Sequence, residues 1–285
     1  LAYLADNGRD LLALPDTGAG GWVTLPTLRA GGVELVLATI FTEARLPDAP
    51  HGYVDRDDRE GAERAARRQL AIYHALERDG HVRIVRTAAD LDGIGAREPG
   101  SDARRDQVPL PIVILMEGAD PIRTPGAAEE WFRAGVRVVG LSWTYGSRYA
   151  GGNGCPGGLT AEGRELVAAF DDLGMVHDAS HLSDEAFDEL LGVARGRVLA
   201  THSNCRALLR PIARHLRDAQ VRAIVERDGL VGLNLYGAFL AIDRRATIDD
   251  CLRHLDHVTA IAGRRDVVCL GSDMDGGFPP DQLPD

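Results

Sequence analysis

Short runs of aliphatic and β-branched residues alternate along this chain with longer stretches whose apolar positions recur every three or four residues. The first pattern is that of buried strands and the second that of amphipathic helices. Val33–Phe41, Leu110–Met116, Val136–Leu141, Met175–Ala179, Val198–Thr201, Leu230–Leu235 and Val267–Leu270 read as strands. Between them, Asp58–Asp79, Ala127–Ala134, Thr160–Leu173, Ser183–Ala194, Asp218–Asp228 and Thr247–Ala262 read as helices. In the first of these Ala62, Ala66, Leu70, Tyr73 and Leu76 share one face. Thr160 and Ser183 stand where N-caps belong, and Glu185 lies in a first turn, where the helix dipole favours negative charge. The apolar run His81–Val85 has no assigned role, and Pro/Gly-rich loops are expected at Pro47–His51, Arg97–Pro111 and Ala150–Gly158.

Strands alternating with helices imply a parallel sheet covered on its faces. With one more strand lost at a terminus, these units would close a (β/α)8 TIM-type barrel, a single domain over residues 1–285. A doubly wound open sheet competes, but no G-x-G-x-x-G follows the first strand.

Composition narrows the chemistry. A formal net charge of -11 over 285 residues opposes a nucleic-acid surface. No apolar run is long enough to cross a bilayer. No basic n-region opens the chain, so a cytoplasmic location is expected, although the first residue is not Met. Cys155, Cys205, Cys251 and Cys269 are too scattered for a zinc ribbon or redox pair and read as free thiols. All 32 basic residues are arginine, which excludes a Schiff-base lysine, a P-loop lysine and a carbamylated lysine bridging two metals.

In a barrel, the residues just past each strand form the reactive rim. Here those residues are Glu117, Ser142-Trp143-Thr144, Ser180-His181, His202, Tyr236 and Gly271-Ser272-Asp273-Met274-Asp275-Gly276. Two imidazoles with carboxylates suit zinc or a similar divalent cation. Glu117 has two oxygens and could bridge a metal pair, and Asp273 could act as general base, bind metal, or both. Each residue alone has a plainer use: a structural hydrogen bond for either histidine, an Asx-turn for Asp273. Convergence is what favours the metal. His177 falls on the opposite side of its strand from His181, and His254 and His257 are expected to face solvent.

Six segments carry a family resemblance: Met116-Glu117-Gly118, Gly158-Leu159-Thr160 with Gly163, Asp178-Ala179-Ser180-His181-Leu182-Ser183, Thr201-His202-Ser203-Asn204, Gly229-Leu230-Val231-Gly232-Leu233-Asn234 and Gly271–Gly276. In this order the chain resembles the membrane (renal) dipeptidase family of metal-dependent amidohydrolase-like barrels. The resemblance implies a binuclear zinc site in which a metal-bound hydroxide hydrolyses dipeptides. It implies that Glu117 bridges the metals, that His181 and His202 complete the second, and that Asp273 handles the proton. Arg214 would hold the substrate carboxylate, with a plain surface arginine as its other reading, and Tyr236 would line the pocket. A homodimer is also implied.

Three departures from the family pattern keep alternatives open. The family's His-x-Asp ligands for the first metal would lie just upstream of Leu1, so a barrel lacking its first strand is expected. One metal site is then retained, and an inactive single-metal or apo fragment is an alternative. The family continues past Asp285, which implies a missing C-terminal segment. Trp143 stands where well-studied dipeptidases have a substrate-contacting histidine, so N-acyl amino acids or other small amides and esters are alternative substrates.

Overall fold

The computed structural model describes residues 1–14, 22–95, 108–276 and 282–285. The chain forms two compact units: Leu1–Arg123 with Ala127–Val139, and Thr124–Gly126 with Gly140–Asp285.

The first unit contains α1 (Ala2–Asp6), α2 (Leu25–Ala30), β1 (Val36–Phe41), the short strands β2 (Glu43–Ala44) and β3 (Gly52–Tyr53), α3 (Arg59–Arg78), β4 (Val82–Ile84), β5 (Leu110–Glu117) and α4 (Ala128–Arg133), and ends in β6 (Val136–Gly140). β1 runs parallel to β5 from Val36 opposite Ile112 to Phe41 opposite Glu117. The run left without a role is β4, which pairs with the start of β5, also in parallel. β6 lies on β5 in the sheet order.

α3 begins where Asp58 accepts the Gly61 N–H at 2.9 Å. The Val54 and Gly61 N–H groups hold the Asp58 carboxyl below the usual carboxylate range, so the cap is charged at neutral pH. The expected apolar face is buried, with Ala62, Ala66, Leu70, Tyr73 and Leu76 all on it. So is Gln69, which donates to Phe41 O at 2.5 Å and accepts the Phe41 N–H at 2.9 Å. A side-chain amide thus serves as a backbone partner at the upper end of β1. Tyr73 ties three elements together, donating to Thr39 O at 2.7 Å and accepting the Ala2 N–H at 3.1 Å.

The second unit repeats strand and helix in regular order: β7 (Ala150–Gly152), β8 (Cys155–Leu159), α5 (Ala161–Leu173), β9 (Val176–Asp178), α6 (Asp184–Val193), β10 (Val198–Leu199), α7 (Asp218–Glu226), β11 (Val231–Leu233), α8 (Ile248–Ala262) and β12 (Val268–Leu270). β9 pairs in parallel with β10, Ala200 bridges in parallel to Val231, and β11 pairs in parallel with β12. The caps are those expected: Thr160 accepts from Gly163 N at 3.0 Å, and Ser183 from Ala186 N at 3.0 Å. The glycine-rich stretch expected as loop is instead the antiparallel hairpin β7–β8. Part of the other expected loop, residues 97–107, lies outside the described residues. Among the described residues no helix is long and apolar enough to cross a membrane.

His254 corrects the expectation of a solvent-facing residue: it is 1% exposed. Its Nδ1 accepts the Cys205 N–H at 3.1 Å, so the hydrogen sits on Nε2, toward Leu240 O at 3.4 Å. Burial lowers the pKa of His254 to about 4, and burial together with the Arg214 charge lowers that of the neighbouring buried His215 to about 3. An unfolded histidine takes a proton below about pH 6.5, whereas these stay neutral in the folded protein until the pH nears 4. Stability is therefore full above pH 6.5 and lost as the pH falls toward 4, by up to ~1.4 kcal/mol per pH unit per histidine. Thermal unfolding should show a lower midpoint at pH 5 than at pH 7.5. The gap should narrow in His254→Gln; an equal gap in that variant would remove His254 as its source.

Candidate active site

His181 and His202 meet in the second unit, with their Nε2 atoms 2.9 Å apart and ring centroids 4.9 Å apart. The residues 9% and 6% exposed are held from behind through their other ring nitrogens. His202 Nδ1 lies 2.7 Å from Thr201 Oγ1, and the Thr201 hydroxyl donates to Asp178 Oδ2 at 2.5 Å. The single hydroxyl hydrogen is committed to the carboxylate, so His202 Nδ1–H is the donor to Thr201 and Nε2 carries the lone pair. His181 Nδ1 lies 3.1 Å from Asn153 Oδ1, an acceptor, and 3.3 Å from Thr144 Oγ1. Donation to Asn153 leaves the His181 lone pair on Nε2 as well. Two nitrogen lone pairs turned toward one another repel unless a cation is shared between them. This donor pair fits zinc, whose usual protein ligands include neutral imidazole.

The backbone is shaped to present these atoms. His181 sits at φ +66°, Asp273 at +60° and Asp275 at +61°, a left-handed region that few non-glycine residues occupy. Such conformations persist only where surrounding contacts enforce them, and they concentrate at functional sites. Around His202 the chain is crowded: a Cβ on Gly232 would lie 1.8 Å from Thr201 O, and one on Gly271 2.0 Å from Thr201 O and 2.8 Å from His202 Cα. Neither position can carry a side chain without moving the segment that aims His202.

Asp273 is set by a polar residue that the sequence reading passed over. Asn234, fully buried, accepts the Tyr236 N–H on Oδ1 at 2.8 Å, which turns its Nδ2 to donate to Asp273 Oδ2 at 2.9 Å. Asn204 locks Asn234 in turn: Asn234 N–H donates to Asn204 Oδ1 at 2.9 Å and Asn204 Nδ2 donates to Asn234 O at 3.0 Å. The signal was present, since Asn234 is the first residue past β11. Extending that strand to Leu235 moved attention to Tyr236.

Arg214 is 5% exposed, which removes the reading of a surface arginine. It donates to His202 O at 2.7 Å and Ser203 Oγ at 3.1 Å, and its guanidinium lies 5.3 Å from the Phe239 ring centroid. Tyr236 packs edge-on against the same Phe239 at 4.8 Å. Trp143 is half-buried, 6.1 Å from the His181 ring and edge-on to Tyr145 at 5.4 Å. His177, left aside in the sequence, is a buried structural residue whose Nε2 pairs with Asp171 Oδ1 at 2.7 Å. In the first unit, Glu117 closes β5 and is half-buried.

Comparison with known proteins adds four findings. The sequence profile described as "Membrane dipeptidase (Peptidase family M19)" matches residues 13–285. An uncharacterized protein in the pqqA 5' region of Klebsiella pneumoniae is 38% identical over 232 residues, 76% of this chain and 81% of that protein. An uncharacterized dipeptidase of Schizosaccharomyces pombe is 27% identical over 270 residues, 92% of this chain but 62% of its own length. Among solved structures, a metallo peptidase from Rhodobacter sphaeroides, liganded with a phosphinate mimic of the dipeptide L-Ala-D-Ala, superposes with a TM-score of 0.79 at 28% identity. The match covers 99% of this chain and 84% of that one.

Proposed function

Because the chain belongs to the membrane dipeptidase family, peptidase family M19, we propose that it is a zinc-dependent dipeptidase with a binuclear site on a (β/α)8 barrel. Glu117, His181 and His202 would hold the metal, the two oxygens of the Glu117 carboxylate suiting it to a paired site. The observation that carries this reading is the approach of the two buried Nε2 atoms to 2.9 Å, while the Nδ1 of each ring faces a hydrogen-bond partner on its other side. The Rhodobacter structure holds a phosphinate mimic of the dipeptide L-Ala-D-Ala, which supports a dipeptide as the substrate class of this chain and makes a D-residue at the C-terminal side one to test.

Zinc, when bound, supplies an acidified water and polarises the scissile carbonyl. The rest is done by the protein. Asp273, oriented by Asn234, takes the proton of the attacking water on its carboxylate and returns it to the leaving amine. Arg214, its guanidinium held on His202 O and Ser203 Oγ, is assigned to the substrate carboxylate, which a planar guanidinium fork suits. Trp143, 6.1 Å from the His181 ring, and Tyr236, packed on the Phe239 ring beside Arg214, are assigned to the substrate pocket.

The test is release of free amino acids from a panel of L,L- and L,D-dipeptides and N-acyl amino acids. Turnover of dipeptides that is abolished by a chelator and restored by added zinc is expected. Preferential turnover of the N-acyl amino acids, or dipeptide turnover indifferent to the chelator, would overturn the proposal.

A further inference from the structure

Asp178 is 2% exposed and lies behind the paired histidines rather than beside a substrate. Its Oδ1 accepts the backbone N–H of Ser180 and of Thr201, each at 3.0 Å, and its Oδ2 accepts the Thr201 hydroxyl at 2.5 Å. The carboxylate thus binds the first residues past β9 to those past β10, the two segments that carry His181 and His202. Its second effect is chemical. A hydroxyl has one hydrogen, and a buried carboxylate can only accept, so Thr201 must give that hydrogen to Asp178 and receive one from His202 Nδ1 at 2.7 Å. Ser180 Oγ, 3.3 Å from Thr201 Oγ1 and accepting the His202 N–H at 3.2 Å, braces the same hydroxyl without changing this polarity.

We infer that Asp178 and Thr201 are positioning residues of the metal site: acting through one hydroxyl, the carboxylate fixes the His202 hydrogen on Nδ1 and thereby makes Nε2 the ligating atom. This deepens the zinc reading of His181 and His202 and rests on it. A carboxylate bonded directly to a ligating imidazole is a common arrangement. Here a threonine is interposed, so the direction of two successive hydrogen bonds decides whether His202 can bind metal.

Asp178→Asn changes that direction with almost no change in shape. The asparagine carbonyl keeps the Ser180 and Thr201 N–H groups, which require an acceptor, and its NH2 then faces Thr201 Oγ1. The hydroxyl hydrogen turns toward His202 Nδ1, and the ring hydrogen moves to Nε2, where it blocks ligation. Thr201→Val removes the connection, and Thr201→Ser preserves it.

Zinc affinity of the full chain, measured by competition with a chromogenic chelator, should fall about 10–100-fold in Asp178→Asn and in Thr201→Val, the range that loss of a ligand's supporting partner produces. Thr201→Ser should stay within about threefold of wild type. Adding Asp178→Asn to Thr201→Val should cost little more, because both act through one hydroxyl. Side-chain 15N NMR of His202 in the full chain reads the same event without zinc or activity, with the ring hydrogen on Nδ1 in wild type and on Nε2 in Asp178→Asn. If Asp178→Asn does not fold, the Thr201 pair carries the test. Wild-type affinity in Thr201→Val, or an Nδ1 hydrogen retained in Asp178→Asn, would overturn the inference. A wild-type chain that shows the Nδ1 hydrogen but binds no zinc would instead overturn the zinc reading and leave the hydrogen-bond direction standing.

Discussion

Asp273→Asn lowers dipeptide turnover by about 10²–10⁴-fold, the range that a general base contributes, while bound zinc stays near the wild-type level. Asparagine suits the test because it tolerates the left-handed backbone that Asp273 occupies at φ +60°. Its carbonyl can also keep the hydrogen bond from Asn234 Nδ2, now 2.9 Å from Asp273 Oδ2. What the substitution removes is the ability to take up a proton, so the loss should appear in kcat with little change in KM. Turnover and zinc per chain should be measured on the same preparation. Full activity would end the proton-handling role of Asp273, and loss of zinc alongside activity would make it a ligand instead.

The second large effect is expected at His181. His181→Asn should weaken zinc binding by more than the ~10–100-fold expected for a supporting residue, and abolish turnover at zinc concentrations that saturate the wild type. Asparagine again respects the backbone, here at φ +66°, where alanine would add strain to the loss of a ligand. His202→Asn, which removes the ring facing His181 across 2.9 Å, should give the same loss. Because the two remove one site, the double variant should be no worse than either single one. Additive losses would mean that the histidines serve different metals, and unchanged zinc affinity would remove both from the site.

Element order was legible in the sequence because burial writes period-two and period-3.6 patterns into apolar residues. The strand that ends at Glu117 and the caps at Thr160 and Ser183 stand where expected. Polar residues that are buried because they are hydrogen-bonded leave no such pattern. On α8 the buried side consists of Asp250, Cys251, His254 and Val258, whereas Leu252 is 50% exposed. Asp250 is buried against Arg244 and Arg253, and His254 accepts the Cys205 N–H, a partner 49 residues away that no periodicity can show. The same limit applied at the site. His181, His202 and Asp273 could be picked out as chemistry placed just past strands, but the groups that orient them could not. Asp178, Asn204 and Asn234 act through hydrogen bonds to residues brought together by strand pairing. Strand ends misjudged by two residues were enough to prefer Tyr236 over Asn234.

The two glycines against Thr201 O also bear on how this protein could be retuned by laboratory evolution. Gly232 and Gly271 press bare backbone onto the segment bearing His202, so variation there moves the proposed metal-binding histidine itself. Trp143 and Tyr236 are half-buried and hang from loops, the kind of position where new substrate preferences arise at small cost to the scaffold. A library that randomises Trp143 and Tyr236 while holding both glycines constant should therefore yield a far larger fraction of folded, metal-competent clones than one of equal size spread over all four positions.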